Sequence, residues 1–192
     1  MKTAMMITMV AAAGCADNIA PQRPDAPAVA SDDAGATMPA GKVTTTRGAD
    51  GTYTSILDAT AQADWTVVDF ETGTEVATTE AWDLRFQRVH ISTNGGANGS
   101  GGVEVAPITG STFDAVTTAP ATGYVSDASE TDFAFEQGDG WYAYDPATHV
   151  LTPRPIVWAV RTNGGTTLKL EIVTYYDGAG TSGWFTLHWA PL

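Results

Sequence analysis

Residues 156–176 read Ile156-Val-Trp-Ala-Val-Arg-Thr-Asn-Gly-Gly-Thr-Thr-Leu-Lys-Leu-Glu-Ile-Val-Thr-Tyr-Tyr176. On either side of Asn163-Gly164 stands a run rich in β-branched and aromatic residues, and Asn-Gly accepts the positive φ that a tight hairpin turn demands. In the second run Leu168, Leu170 and Ile172 alternate with Lys169 and Glu171. That period of two puts one face on a core and the other toward water. The spacing predicts two antiparallel strands, Ile156–Thr162 and Thr166–Tyr176.

The same period recurs on both sides of this hairpin. A closing strand is expected over Trp184–Trp189, with Phe185, Leu187 and Trp189 inward and His188 facing away. Upstream, Trp65-Thr-Val-Val-Asp-Phe70 reads as a strand ended by the turn Glu71-Thr-Gly-Thr74. In residues 81–91 Trp82, Leu84 and Phe86 alternate with Asp83, Arg85 and Gln87. The apolar face then changes parity to Val89 and Ile91, which predicts a bulge or strong twist near Gln87 or Arg88. Thr93–Gly102 is too glycine-rich for regular structure, and Phe133–Phe135 and Trp141–Tyr144 read as short strands split by Gly138-Asp-Gly140. Only Ser55–Ala63 offers a helical turn. The six Trp, six Tyr and six Phe all lie between Tyr53 and Trp189. The expected fold is all-β: a single antiparallel β domain over residues 48–192, long enough to bury a core without staples.

The N-terminal part is of another composition. Lys2 precedes an uncharged apolar run, Ala4–Ala13, too short to span a bilayer but suited to the core of a signal peptide over residues 1–14. The run ends in Ala12-Ala13-Gly14-Cys15, where small residues precede the chain's single cysteine, and this resembles a bacterial lipobox. Cys15 is therefore the expected lipidation site. Residues 15–47 contain Pro21, Pro24, Pro27 and Pro39 and no aromatic residue, a composition that cannot offset its ordering entropy and predicts a disordered, lipid-anchored tether. The product would be exported and held on the bacterial outer membrane or cell surface.

A formal charge of −13 excludes nucleic acid as a partner and leaves the lipid anchor as the only membrane contact, because phosphate backbones and anionic lipids call for basic patches. One cysteine excludes a disulfide framework. The glycine-rich loop lacks the Lys-Ser/Thr of a phosphate-binding loop, no Gly-x-Ser-x-Gly elbow occurs, and His90, His149 and His188 lack metal-ligand spacing. Asp127, Glu130 and Asp132 read as a solvated acidic loop. Nothing points to an enzyme.

Three segments carry a resemblance to the HmuY-like haem-binding lipoproteins. The first is Trp82-Asp-Leu-Arg-Phe-Gln-Arg88 followed by Thr93-Asn-Gly-Gly96, and the second is Trp141-Tyr-Ala-Tyr-Asp-Pro-Ala-Thr-His149 with Pro153. The third comprises Val160-Arg-Thr-Asn-Gly-Gly165, Lys169-Leu170, Tyr175-Tyr-Asp177 and Ser182-Gly-Trp-Phe-Thr186. The resemblance implies a hand-like all-β fold and a non-enzymatic protein that takes haem from its surroundings or from haem proteins and passes it to an outer-membrane receptor. It also implies two axial side chains on the iron.

All five methionines (1, 5, 6, 9 and 38) precede the domain, so an iron there would use imidazole or tyrosinate. His149 stands where the family places a histidine and is the expected iron ligand. The second family position falls within about residues 108–124, which hold neither His nor Met; His90 and Tyr124 are the candidate substitutes. His188 is a further one, though its parity turns it from the core. Arg88, Arg154 and Arg161 are the cations available for propionates, and the negative net charge would slow rather than steer an anionic macrocycle. The alternative is a surface β module for protein or glycan contact that keeps the fold without ligating haem, with Trp141-Tyr142 and Trp184-Phe185 as its contact aromatics.

Overall fold

The computed structural model describes residues 41–192. Cys15, the expected signal peptide and most of the expected tether lie outside the described residues.

Six strands form the larger sheet: β1 (Val43–Arg47), β2 (Tyr53–Asp58), β7 (Glu104–Thr109), β10 (Ile156–Arg161), β11 (Thr167–Tyr176) and β12 (Ser182–Pro191). Their order is β1-β2-β12-β11-β10-β7, antiparallel throughout. A second antiparallel sheet has the order β4-β3-β5-β6, from β3 (Thr66–Asp69), β4 (Thr74–Glu75), β5 (Leu84–Gln87) and β6 (His90–Thr93). The strands β8 (Tyr142–Asp145) and β9 (Val150–Pro153) pair only with each other.

The two sheets close on one core because the strands alternate as their sequences require. Leu168, Leu170 and Ile172 of β11, Phe185, Leu187 and Trp189 of β12 and Leu57 of β2 face Val68, Leu84, Phe86 and Ile91 of the smaller sheet, all buried. Aromatic contacts stitch the layers: Phe86 meets Phe185 at 5.1 Å between ring centroids, and Phe70 meets Trp189 edge-on at 5.2 Å. The outer face of the larger sheet has a smaller apolar cluster, in which Phe113 and Val116 cover Val157 and Ala190. Segment 110–124 is thus tied to that face, and Lys169 holds it by donating to the carbonyls of Phe113 and Val116 at 2.8 and 2.9 Å.

The Asn163-Gly164 hairpin forms between β10 and β11, with Gly165 taking the positive φ of 86°. Elsewhere the structure departs from the sequence reading. Val43–Arg47, read as tether, is strand β1 paired with β2; its Val-Thr-Thr-Thr run is β-branched although it lacks aromatics. Ser55–Asp58 belongs to β2, not to a helical turn. The parity change after Gln87 is a hairpin rather than a bulge: Gln87 pairs with His90, and Arg88 takes a φ of 52°. That backbone is fixed by Arg88 itself, whose amide donates to Ala59 O at 2.7 Å and whose guanidinium reaches Thr60 O and Ser182. Ala134–Glu136 is a 3-10 turn, not a strand.

The acidic loop also differs. Glu130 and Asp132 are exposed, but Asp127 is 2% exposed. One of its oxygens accepts from Ser92 Oγ, Thr93 N and Asn98 Nδ2, and the other from Ala134 N. Its own carbonyl accepts Ala97 N, so the glycine-rich loop wraps around this residue. Gly96 has a φ of 60°, and a Cβ there would overlap Asp127 O. Asp127→Ala should orphan several buried donors at roughly 1–3 kcal/mol each. The urea midpoint should therefore fall by an amount corresponding to about 3 kcal/mol or more, whereas Glu130→Ala should change stability by less than about 0.5 kcal/mol. Equal effects of the two substitutions would contradict a structural role for Asp127.

Candidate functional site

The β8–β9 hairpin leans on the end of β11, where Leu151 N donates to Tyr176 Oη at 2.9 Å. At its root Trp141 is buried and donates from Nε1 to Val89 O at 3.0 Å. At its tip, Asp145 organises the turn. Its carboxylate accepts from Ala147 N and Thr148 Oγ1, both at 2.8 Å, and its carbonyl accepts His149 N at 2.8 Å. The Thr148 and Ala147 donors hold the Asp145 carboxyl below its usual value. His149 consequently sits in the left-handed region at φ 58°, an uncommon place for a residue with a side chain. The imidazole is exposed, and Nδ1 lies 2.6 Å from Tyr144 Oη. Tyr144 is itself 51% exposed, so the pair stands in water at the end of a projecting arm.

The other candidates are engaged elsewhere. His90 opens β6 and places Nδ1 at 2.9 Å from Glu136 Oε1, beside the Phe133 ring. Burial raises the Glu136 carboxyl above its usual value, while His90 pulls it the other way. His188 does face away from the core, as its parity requires, but it is not free. Its Nδ1 is 3.0 Å from Glu171 and its ring stacks on Phe113 with centroids 3.9 Å apart. Tyr124 lies beneath Arg161, whose guanidinium carbon is 3.6 Å from the ring centroid, and its buried hydroxyl has no hydrogen-bond partner among the described residues.

These groups do not converge. Arg161 pairs with Thr167 at the start of β11, whereas the hairpin of His149 leans on Tyr176 at its end. At ~3.3 Å per residue the length of β11, about 30 Å, separates the Tyr124 and His149 neighbourhoods. His90 is nearer, beside Val89 at the root of the arm, but the length of β8 lies between it and His149. The three arginines are likewise bound within the fold: Arg88 to Thr60 and Ser182, Arg154 to Asp139 O and Tyr142 O, and Arg161 to Glu104 at 3.0 Å. Trp141 and Phe185 are buried and Trp184 half-buried, so they are not the open contact aromatics the sequence suggests.

A cleft of about 300 Å³ opens between the sheets at another place, lined by Tyr53, Phe70, Glu71, Thr162 and Trp189 among others. No candidate ligand lines it. Tyr144 is the hydrogen-bond partner of His149 that sequence reasoning does not single out, although it precedes His149 by the span of one Asp-Pro turn. Among the described residues no helix is long and apolar enough to cross a membrane.

Comparison with known proteins bears on this geometry. None of the curated proteins matches the chain. Solved structures that share its fold include the following three. One, from Bacteroides fragilis and provisionally described as a lipoprotein, has a TM-score of 0.61 and 21% identity, covering 76% of this chain and 91% of its own. A second, from Bacteroides vulgatus and provisionally described as an HmuY-like haem-binding protein, has a TM-score of 0.58 at 19% identity over 77% and 96% of the two chains. The third is the apo HmuY analogue of Tannerella forsythia, with a TM-score of 0.57 and 15% identity over 78% and 96%. At these identities the likeness is one of fold. The sequence model of the HmuY protein family matches residues 61–189, through β3 to β12 with all three signature segments, and the chain belongs to that family.

Proposed function

We propose that this protein is a non-enzymatic, lipid-anchored haem-binding protein that captures haem through His149. The observation that carries this reading is the Tyr144–His149 pair. The imidazole stands exposed in a left-handed hairpin turn and is fixed by hydrogen bonds on both backbone and ring, so it is held out to solvent in a set orientation. With Nδ1 turned to Tyr144 Oη, Nε2 is the nitrogen left to meet an iron, the arrangement in which an outer partner orients a ligating histidine. Family membership supports haem as the ligand class, and the neighbour from Bacteroides vulgatus bears that description.

Of the parts a metalloporphyrin site needs, the described residues offer one exposed imidazole at this position. The facing family position has no counterpart: segment 110–124 contributes Phe113 and Val116 to the outer face of the sheet and holds no imidazole or thioether. His90 and Tyr124 are committed to Glu136 and Arg161. The reading is therefore of a single axial imidazole on an exposed arm, with haem supplying the iron and no turnover. Cys15 would tether the domain to the outer membrane or cell surface, with haem proteins as donors and a haem receptor as the downstream partner.

A second reading has a specific observation in its favour. Tyr144, Val150 and Val173 are 51%, 37% and 54% exposed on the arm and on the strand beside it, a surface suited to protein or glycan contact without haem.

Titrating the wild-type protein with hemin should produce a sharpened, red-shifted Soret band that His149→Ala abolishes, while His90→Ala and Tyr124→Phe leave it. A flat wild-type titration would favour the contact-module reading. Tyr144→Phe should weaken hemin binding by about 10-fold or more, as removal of an orienting partner does at other metal ligands. Unchanged affinity in that variant would show that the phenol does not orient the imidazole.

A further inference from the structure

Far from the arm, three carboxyl groups converge. Asp69, Glu71 and Asp83 each place an oxygen within 4.8 Å of the others. Asp83 is wholly without solvent contact, and one of its oxygens accepts from Phe70 N at 2.8 Å and the other from Asn163 N at 2.7 Å. Phe70 belongs to the turn after β3 in the smaller sheet; Asn163 belongs to the turn between β10 and β11 in the larger one. Glu71 makes the same crossing, since its Oε1 accepts from Thr162 Oγ1 and its side chain occupies the space a Cβ on Gly164 would fill. The two sheets are thus fastened at this corner by carboxyl groups from one side and backbone or hydroxyl donors from the other.

Electrostatics makes the fastening conditional. Two adjacent carboxylates, one of them sealed from water, are destabilised when both are ionised, and a shared proton relieves this. Among the described residues no Lys or Arg is paired with this cluster. The turn 162–166 contains only Thr, Asn and Gly, and β1 and β12 bring Thr45, Trp189 and Pro191 to the adjoining cleft. Arg85 is turned to Ser92 and to the Trp65 and Trp82 rings, and Arg47 lies over Tyr53. Asp69 adds a third negative group.

We propose that Glu71 and Asp83 form a proton-operated latch between the turn after β3 and the β10–β11 turn. With the proton in place the turns are joined; when it leaves, they separate and the cleft lined by Tyr53, Phe70 and Trp189 widens. Burial raises the Asp83 carboxyl to about 7 against the pull of the Phe70 and Asn163 amides, with the neighbouring Glu71 adding to the rise. The opened group returns toward the ordinary value of 3.8. A raised value in the joined state means that the joined state binds the extra proton. Its advantage is full below about pH 4 and is lost as pH rises through 7.

Hydrogen exchange of the intact protein tests the latch without reference to haem. After correction for the intrinsic rate, protection of the Asn163 amide should fall about 10-fold or more between pH 5 and pH 8, with a matching change in Trp189 fluorescence. Core amides such as that of Leu170 should keep their protection. In Glu71→Gln the like charge is gone and an amide donor replaces it, so the fall should shrink and move to lower pH, burial of Asp83 sustaining the remainder. If wild-type Asn163 protection is constant from pH 5 to pH 8, or falls equally in Glu71→Gln, the latch is wrong. Asp83→Asn should be insensitive to pH, and if that variant fails to fold, the Glu71→Gln comparison decides the matter.

Discussion

A carboxyl group removed from water must be met by hydrogen-bond partners, and Asp83 and Asp127 are the two buried carboxyl groups around which this domain is organised. Asp127 gathers β6, the glycine-rich loop and the 3-10 turn through Ser92, Thr93, Asn98 and Ala134. Asp83 ties the smaller sheet to the larger through Phe70 and Asn163. Asn94 completes the set, donating to Trp82 O and accepting from Gly101 N. A Cβ on Gly96, Gly99 or Gly101 would collide with Asp127 or Asn94, and one on Gly95 with Val103 O, so the glycine-rich loop is a packed wrapping and not an open flap.

This changes what the family signature means. Trp82-Asp-Leu-Arg-Phe86 and Thr93-Asn-Gly-Gly96 supply the buried carboxyl, the bridging amide and the close-approach glycines. They specify the scaffold. The segment carrying Tyr144 and His149 is built on other terms: a two-stranded arm, exposed on most of its residues, which depends on Trp141, Leu151 and Tyr176 for its footing. A rigid sandwich with an arm whose tip contributes little to the core can hold its fold while the tip residues vary. That separation fits a binding protein of modest ligand demands.

The fold was legible from residue patterning because its sheets obey period two: Leu168-Leu170-Ile172 and Phe185-Leu187-Trp189 face inward as their parity demands. What escaped depended on partners distant in sequence. Nothing local distinguishes Asp127 from its exposed neighbours Glu130 and Asp132, because its donors arrive from β6 and from the 3-10 turn. Val43–Arg47 became a strand only by pairing with β2. The parity change after Gln87 reads locally as a bulge or twist, and the hairpin that replaces it is held by bonds from Arg88 to Ala59 and Ser182. For the site, the position of His149 followed from the family pattern, but its hydrogen bond to Tyr144 and the separation of Tyr124 by the length of β11 required the three-dimensional arrangement.

Electron paramagnetic resonance of the hemin-loaded protein tests the central claim most directly, because spin state reports the number of strong axial ligands. A single imidazole on an open arm predicts a high-spin ferric signal that His149→Ala removes. A low-spin signal from two strong axial side chains, or a high-spin signal untouched by that substitution, would contradict it.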